Sequence, residues 1–381
     1  MQEKSRILVF TTAYRPMIGG SELALEEIIR RLPDIFFDII TPRHKRVFKA
    51  KESSNNSNIY RIGTGTTIDK ILFLIFGFFK SLSLIRINDY KIIQAYQASY
   101  GGGICWGLKL LYPRLSFILT LQEGKDLNNQ NVIFKLLRNL IIKRADIITA
   151  ISGYLADYAS KVNPRAKVII IPNGVDLTKF QIPNHKSQTN FKFQIPNSKI
   201  IITVSRLVEK NGVGDLVDAL HVLNTKHQIP DTKYKLLIIG DGPLKESLRL
   251  KAKRLKLENK VEFLGEVSNN GLPSYLAKAD IFVRPSLSEG LGTAFLEAMA
   301  AGVPIIGTSV GGISDFLKDG ETGLFCRVGD PADLADKMNV ILSDENLRNN
   351  LARNGRRLVE EKYDWNKIAE KFRNLYTNET I

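Results

Sequence analysis

Two glutamates and two bases carry the chemistry most legible in this sequence. Glu289 and Glu297 are separated by seven residues, and the first sits in Ser288-Glu289-Gly290-Leu291-Gly292-Thr293, a loop that follows the apolar run Ile281 to Val283. The pattern predicts a helix from near Thr293, which puts Glu297 one turn into it. Carboxylates accept paired hydrogen bonds from diols, so Glu297 suits ribose hydroxyls and Glu289 the hydroxyls of a sugar bound beside it. Gly290 and Gly292, without Cβ, would expose backbone N–H groups to a sugar or phosphate. Either acid taken alone is equally an ordinary helix-start carboxylate favoured by the helix dipole. Arg206 closes the run Ile200 to Ser205, and Lys210 follows one helical turn later, ahead of Asn211-Gly212 and a helix expected over Asp215 to Thr225. Two cations at a strand end can hold a diphosphate and neutralise it as a leaving group, although a pair of surface bases is common.

Such residues need strand-loop-helix corners to hold them, and the chain supplies a series of these. Apolar runs at Ile7 to Thr11, Phe36 to Thr41, Lys91 to Tyr96, Ser116 to Leu121, Ile147 to Ile151 and Val168 to Ile171 alternate with segments of helical period. That is the pattern of a buried parallel sheet. After the polar stretch His185 to Ser198, read as a linker, it restarts at Ile200 to Ser205 and continues through Lys235 to Ile239, Val261 to Leu264, Ile281 to Val283 and Pro304 to Gly307. The fold class is therefore α/β, with two Rossmann-like domains of parallel sheet, as expected for 381 residues. Ligands of such sheets bind beyond the carboxyl ends of the strands. After the first strand, Gly19-Gly20-Ser21-Glu22 opens a helix over Leu23 to Leu32, with Ser21 as its expected N-cap and a glycine pair that lets backbone approach a phosphate. An ordinary turn reads the same way. Gly101-Gly102-Gly103 completes no dinucleotide fingerprint.

Composition removes several classes. Apolar residues at 44% and charged residues at 24% exclude wholesale disorder and a membrane-spanning chain. Cys105 and Cys326 match no zinc or redox spacing and are read as core packing. The first strand begins almost at the N-terminus, leaving no room for a signal peptide, so a cytoplasmic location is expected. Residues 1–197 hold 28 Lys and Arg against 14 Asp and Glu, a net of +14, whereas the remainder holds 26 against 25, a net of +1. The basic half points to an anionic partner: nucleic acid, lipid headgroup or acidic substrate. Ile71 to Phe79 is the most apolar window, closed by Lys80 and Arg86 well short of the roughly 20 residues that span a bilayer. It reads either as a buried helix or, with Arg43, Lys45, Arg46, Lys49 and Lys51 just before it, as a peripheral contact with an anionic membrane through residues 43–51 and 71–86.

The stretch from Pro285 through Glu289 and Glu297 to Pro304 resembles the signature of the retaining GT-B glycosyltransferases, group 1 or family 4 type, whose hallmark is two Glu separated by seven residues. Gly19-Gly20-Ser21-Glu22, Ile171 to Asp176, Ser205-Arg206-Leu207, Ile239 to Pro243 and Val310-Gly311-Gly312 extend the resemblance over most of the chain. It implies an acceptor-side domain over residues 1–190, a donor-binding domain over 191–363 with a cleft between them, and a C-terminal helix over 364–381 packed back on the first domain. It further implies a nucleotide diphosphate sugar, UDP- or GDP-linked, as donor substrate, and a saccharide or lipid-linked acceptor in cell-envelope glycan or glycolipid synthesis. By the same resemblance Gly19, Gly20, Arg206 and Lys210 would meet the diphosphate, Glu289, Gly290, Leu291 and Gly292 the sugar, Glu297 the ribose, and Val267 the base. Glu289, Arg206 and Lys210 would form the catalytic set.

Three departures stand out. Asn211 occupies the place of the family's Lys, with Lys210 one residue early. Gln122 and Glu123 stand where a His is frequent after the strand Ser116 to Leu121, on the acceptor side. Leu291 replaces a common Phe. No Asp-x-Asp motif lies in a loop after a strand, so neither a divalent metal nor another cofactor is expected. The alternatives are a sugar-nucleotide epimerase of the same fold, which would want a cleft His where His44, His185, His221 and His227 all lie off the motif corners, and a non-catalytic basic module binding nucleic acid.

Overall fold

The computed structural model describes residues 5–17, 19–66, 68–124, 131–180, 198–226 and 233–377. The chain forms two compact units, residues 1–173 with 365–381, and residues 174–364.

The first unit runs β1 (Arg6–Phe10), α1 (Gly20–Arg31), β2 (Phe36–Pro42), β3 (Lys51–Ser53), β4 (Ser57–Ile62), α2 (Asp69–Ile87), β5 (Ile92–Tyr96), α3 (Tyr100–Leu111), β6 (Ser116–Leu121), α4 (Val132–Arg144), β7 (Ile147–Ala150), α5 (Gly153–Val162) and β8 (Lys167–Ile170). The sheet order is β3-β4-β2-β1-β5-β6-β7-β8, parallel except for the β3–β4 pair. Each expected apolar run falls on a strand. The β3–β4 hairpin was not expected, because Lys51–Ser53 is a polar edge strand with no apolar run to betray it.

The second unit runs β9 (Ser198–Val204), α6 (Val213–Lys226), β10 (Lys233–Ile239), α7 (Lys245–Arg254), β11 (Val261–Gly265), α8 (Leu272–Leu276), β12 (Ile281–Arg284), α9 (Thr293–Ala300), β13 (Ile305–Thr308), β14 (Gly323–Cys326), α10 (Pro331–Ser343) and α11 (Glu345–Lys362). Its sheet order is β11-β10-β9-β12-β13-β14, all parallel. From β9 the chain winds one way through β10 and β11, then returns to the other side of β9 and winds outward through β12, β13 and β14. The loops after β9 and β12 therefore part in opposite directions, leaving the crevice at which doubly wound sheets bind ligands.

Residues 174–180 go with this second unit. Val175 N–H donates to the Tyr363 carbonyl at 2.7 Å, and the 3-10 turn Leu177–Phe180 packs against α9. Composition, which changes only at the polar stretch, carries no sign of that division. The stretch read as a linker, 185–198, lies outside the described residues except for Ser198.

The last helix, α12 (Trp365–Thr377), completes the first unit. Trp365, Ile368, Ala369, Phe372, Leu375 and Tyr376 are its buried face, repeating at three and four residues as one side of a helix must. They share a core with Ile7, Val9, Leu25, Ile28 and Phe37, and the Tyr376 hydroxyl donates to Gln94 Oε1 at 2.6 Å. Cys105 and Cys326 are both buried and free.

The helices α2, α3 and α4 are packed side by side and turn large apolar side chains outward. Exposed are Ile71, Leu74, Ile75, Phe76 and Phe79 of α2, Trp106, Leu110 and Leu111 of α3, and Val132, Ile133, Phe134, Leu136, Leu137 and Leu140 of α4. The window Ile71 to Phe79 is thus neither wholly buried nor a span: Phe73 and Gly77 face inward and their neighbours face out. Among the described residues no helix is long and apolar enough to cross a membrane.

Candidate active site

The crevice of the second unit is built from three backbone approaches. The turn Arg206 to Gly212 follows β9, with Glu209–Asn211 as a 3-10 turn, and the loop Pro285 to Gly292 follows β12. The Lys210 carbonyl joins them by accepting from Leu287 N–H at 2.7 Å. Gly212, at φ +65°, lies so close that a Cβ there would fall 1.9 Å from the Pro285 carbonyl oxygen. Gly311, at φ +53°, similarly brings the loop after β13 onto Glu289, where an added Cβ would lie 1.8 Å from its carbonyl oxygen. Only glycine satisfies both the left-handed backbone and the contact. The motif glycines thus serve chain packing that fixes where Glu289 sits.

Arg206 is exposed at the end of this corner, free of any steric demand from the core, and its carbonyl accepts from Asn211 Nδ2 at 2.6 Å. Asn211 is buried, as a Lys would not readily be, and Lys210 beside it is half-buried. Glu289 is held more tightly than the sequence implied. Its Oε2 is ion-paired with Arg284, the last residue of β12, with both side chains near 10% exposed. Its Oε1 accepts from Gly290 N–H at 3.1 Å. The Gly290 N–H is therefore engaged by Glu289, contrary to the expectation that it stands open to a ligand. Arg284 also donates from Nη2 to Asn211 Oδ1 at 3.3 Å and from Nε to Ser286 Oγ at 3.2 Å, and its guanidinium stacks 5.8 Å from the Phe295 ring centre. Burial lowers its pKa to about 10, leaving it charged near neutrality. Sequence reasoning missed Arg284. A charged residue closing an otherwise apolar strand, directly before Pro285, was the available signal.

Glu297 behaves differently. It lies in α9, whose N-cap Gly292 is in the left-handed conformation, and its carboxylate accepts no hydrogen bond from any described residue. Desolvation raises its pKa to about 7, against a downward pull from Lys179. A half-buried carboxylate with no protein donor is open to accept hydroxyls from a ligand. Leu291 and Gly292, the last two residues of the loop, are buried, and Val267 is half-buried in the loop after β11, one strand beyond β10. No bond among the described residues connects Val267 to the Arg206–Glu289 cluster.

Residues 185–358 match the family described as Glycosyl transferases group 1, and residues 18–179 match Glycosyltransferase Family 4. The GDP-mannose-dependent alpha-(1-6)-phosphatidylinositol monomannoside mannosyltransferase of Mycobacterium tuberculosis is 31% identical over 96% of this chain and 97% of its own. The chain is a group 1 glycosyltransferase. The N-acetyl-alpha-D-glucosaminyl L-malate synthase of Bacillus anthracis is 34% identical, over 63% of this glycosyltransferase and 62% of that enzyme. Among solved structures, sucrose-phosphate synthase from Thermosynechococcus elongatus has a TM-score of 0.81 at 21% identity, over 98% of both chains. Anabaena HepE in complex with UDP and glucose has a TM-score of 0.79 at 18% identity, over 97% of this chain and 99% of its own. At such identities the likeness establishes the GT-B fold.

In the glycosyltransferase's first unit, Gly19 is the N-cap of α1 and Gly20 its first residue, both exposed. Ser21 is not the cap. It lies inside the helix and its hydroxyl donates to Glu22 Oε1 at 2.9 Å, because the extended backbone needed of a cap falls at Gly19. Gln122 pairs with Asn173 through both amide groups, at 3.2 and 3.3 Å. Glu123 accepts from Ala98 N–H at 2.8 Å through Oε1, while its buried Oε2 has no partner, and burial raises its pKa. Among the described residues no group of three or more His, Cys, Asp or Glu could hold a metal ion.

Proposed function

We propose that this glycosyltransferase moves a sugar, with retention of anomeric configuration, from a UDP- or GDP-linked donor to a saccharide or lipid-linked acceptor in cell-envelope synthesis. The observation that carries the reading is the donor corner: Arg206 exposed at the end of β9, Glu289 fixed by an ion pair after β12, and Glu297 desolvated without a hydrogen-bond donor in α9. Arg206, with Lys210, would bind the diphosphate, Glu289 would orient the sugar, Glu297 would hold the ribose and Val267 would lie near the base. Gly19 and Gly20 would meet the diphosphate from the first unit, and Gln122 and Glu123 would face the acceptor.

In the reaction the acceptor oxygen bonds to the anomeric carbon as the bond from that carbon to the β-phosphate oxygen breaks, on the same face. The hydroxyl proton passes to the departing phosphate oxygen, and the nearby cations offset the negative charge that develops there. Charge is thereby neutralised by side chains, without a divalent metal or other cofactor. Two reactants held in contact gain much of the rate from position alone.

The lipid-linked acceptor is met at an anionic bilayer. Residues 43–51 present exposed Lys45, Arg46, Lys49 and Lys51, and residues 71–86 belong to the outward apolar surface of α2, α3 and α4. The only acidic side chain in those three helices, Asp69, is buried and bonded to the backbone N–H groups of Thr64, Gly65 and Thr66. All their other charges are basic, which complements an anionic lipid surface and opposes pairing with a second copy of the same face.

The test is a thermal-shift panel of UDP-glucose, UDP-N-acetylglucosamine and GDP-mannose on the wild type and Arg206→Ala. One donor should raise the wild-type Tm and fail to raise that of the variant. Normal turnover by a folded Arg206→Ala enzyme would remove the site assignment.

A further inference from the structure

The donor corner contains a charge that none of its expected members supplies. We propose that Arg284 is the positioning residue for Glu289: its buried guanidinium, and not a lysine at position 211, supplies the counter-charge that holds this carboxylate in place. The proposal rests on the donor-site reading of Glu289 above.

The connections run in sequence. Arg206 offers its carbonyl to Asn211 Nδ2, Asn211 Oδ1 accepts from Arg284 Nη2, and the same Nη2 group is ion-paired with Glu289 Oε2. A single buried chain of polar groups thereby ties the turn that carries the exposed cation to the carboxylate that would hold the sugar. It spans the two strand ends, β9 and β12, between which the crevice opens. A charged side chain is rarely buried without both a counter-charge and hydrogen bonds, and Arg284 has both. Its planar guanidinium is itself fixed by Ser286 at Nε and Asn211 at Nη2, so the Glu289 carboxylate is oriented by Arg284 at Oε2 together with the Gly290 N–H at Oε1.

Asn211 explains why the arrangement tolerates only one cation. Its side chain is buried and faces Arg284, so a lysine there would put a second positive charge against the first in low dielectric. A neutral amide instead accepts from the guanidinium with one end and donates to the Arg206 carbonyl with the other. Thr308 steadies the same loop by donating from Oγ1 to the Ser286 carbonyl at 2.5 Å, so the base of the arrangement is fixed from β13 as well. Glu289 is thus presented pre-oriented against its counter-charge, and its freedom need not be lost when donor binds.

The experiment compares wild type, Arg284→Leu, Arg284→Lys, Asn211→Lys and the exchange Asn211→Lys/Arg284→Leu. Readouts are urea denaturation, calorimetric binding of free UDP and GDP, and kcat and KM with whichever of UDP-glucose, UDP-N-acetylglucosamine and GDP-mannose the wild type accepts. Arg284→Leu should lower kcat/KM about 100-fold while binding of the free nucleotide, which lacks the sugar, changes by less than about threefold. Arg284→Lys should recover part of the loss. Asn211→Lys alone should lower both stability and turnover, and the exchange should be more active than either single variant. Should Arg284→Leu fail to fold, the Arg284→Lys and exchange variants still decide the matter. The proposal is overturned if folded Arg284→Leu or Arg284→Lys retains wild-type kcat/KM, or if the exchange is no better than its single changes. Failure of the underlying reading looks different: the wild type then binds no nucleotide sugar, or Glu289→Gln transfers sugar normally.

Discussion

Replacing Glu297 by Gln should stabilise the empty protein, weaken its hold on nucleotide, and do the first in a manner set by pH. The carboxyl is raised from its ordinary 4.5 to about 7, chiefly by desolvation. Between those values the folded protein keeps a proton that the unfolded chain has released. Wild-type stability therefore falls as pH rises through the window, and the full penalty stands above pH 7. At 1.36 kcal/mol per pKa unit the ceiling is ~3 kcal/mol, and because Glu297 is half-buried, solvent screening reduces the expected value to roughly 1–2 kcal/mol. Glutamine carries no such term. Urea or thermal denaturation at pH 5 and pH 8 should show the two proteins nearly equal at the lower pH and the variant ahead at the higher, by about 3–6 °C in Tm for a unit of this size. In the same variant the affinity for UDP or GDP should drop about tenfold at pH 8, one charge-assisted hydrogen bond's worth. A stability difference that does not widen with pH would refute the desolvation argument. Unchanged nucleotide affinity would refute the ribose role.

Gly311→Ala should cost about 2 kcal/mol or more, since it strains a left-handed residue and drives Cβ into the Glu289 carbonyl; urea midpoints measure the loss, and turnover should fall with it. Leu136→Glu with Leu137→Glu, on the outward face of α4, should reduce sedimentation with anionic vesicles at least about tenfold. Nucleotide affinity should be untouched by that pair, and vesicle binding equal to wild type would discard the α4 surface.

The strands were legible because fully buried parallel strands leave continuous apolar runs, as in Ile281–Arg284 and Ser198–Val204. Arg206 and the two glutamates were legible because their spacing to those strands is local. Arg284 was not, since its meaning lies in contacts to Asn211 and Glu289 that only the folded corner brings together. Asn211 read as a loss of charge, whereas in space it is one half of an exchange. The outward apolar face of α4 was missed for another reason. Val132, Ile133, Leu136, Leu137 and Leu140 have the spacing of a core-facing helix, and periodicity alone does not say which side of a helix faces the protein. Ser21 misled because its residue type favours a cap while the backbone bend falls two residues earlier.

The position of α12 bears on how the protein is made. The second unit is one uninterrupted segment, residues 174–364, but the first needs residues 365–377 to cover Ile7, Val9 and Phe37. During synthesis the earlier half of the chain therefore emerges first but completes its core only after the whole second unit has been made. Until α12 leaves the ribosome, an apolar surface of the nascent first unit stays open, a natural binding site for chaperones. A nonsense mutation just before Trp365 would consequently leave the donor corner's own fold whole and release a chain exposed to aggregation and proteolysis.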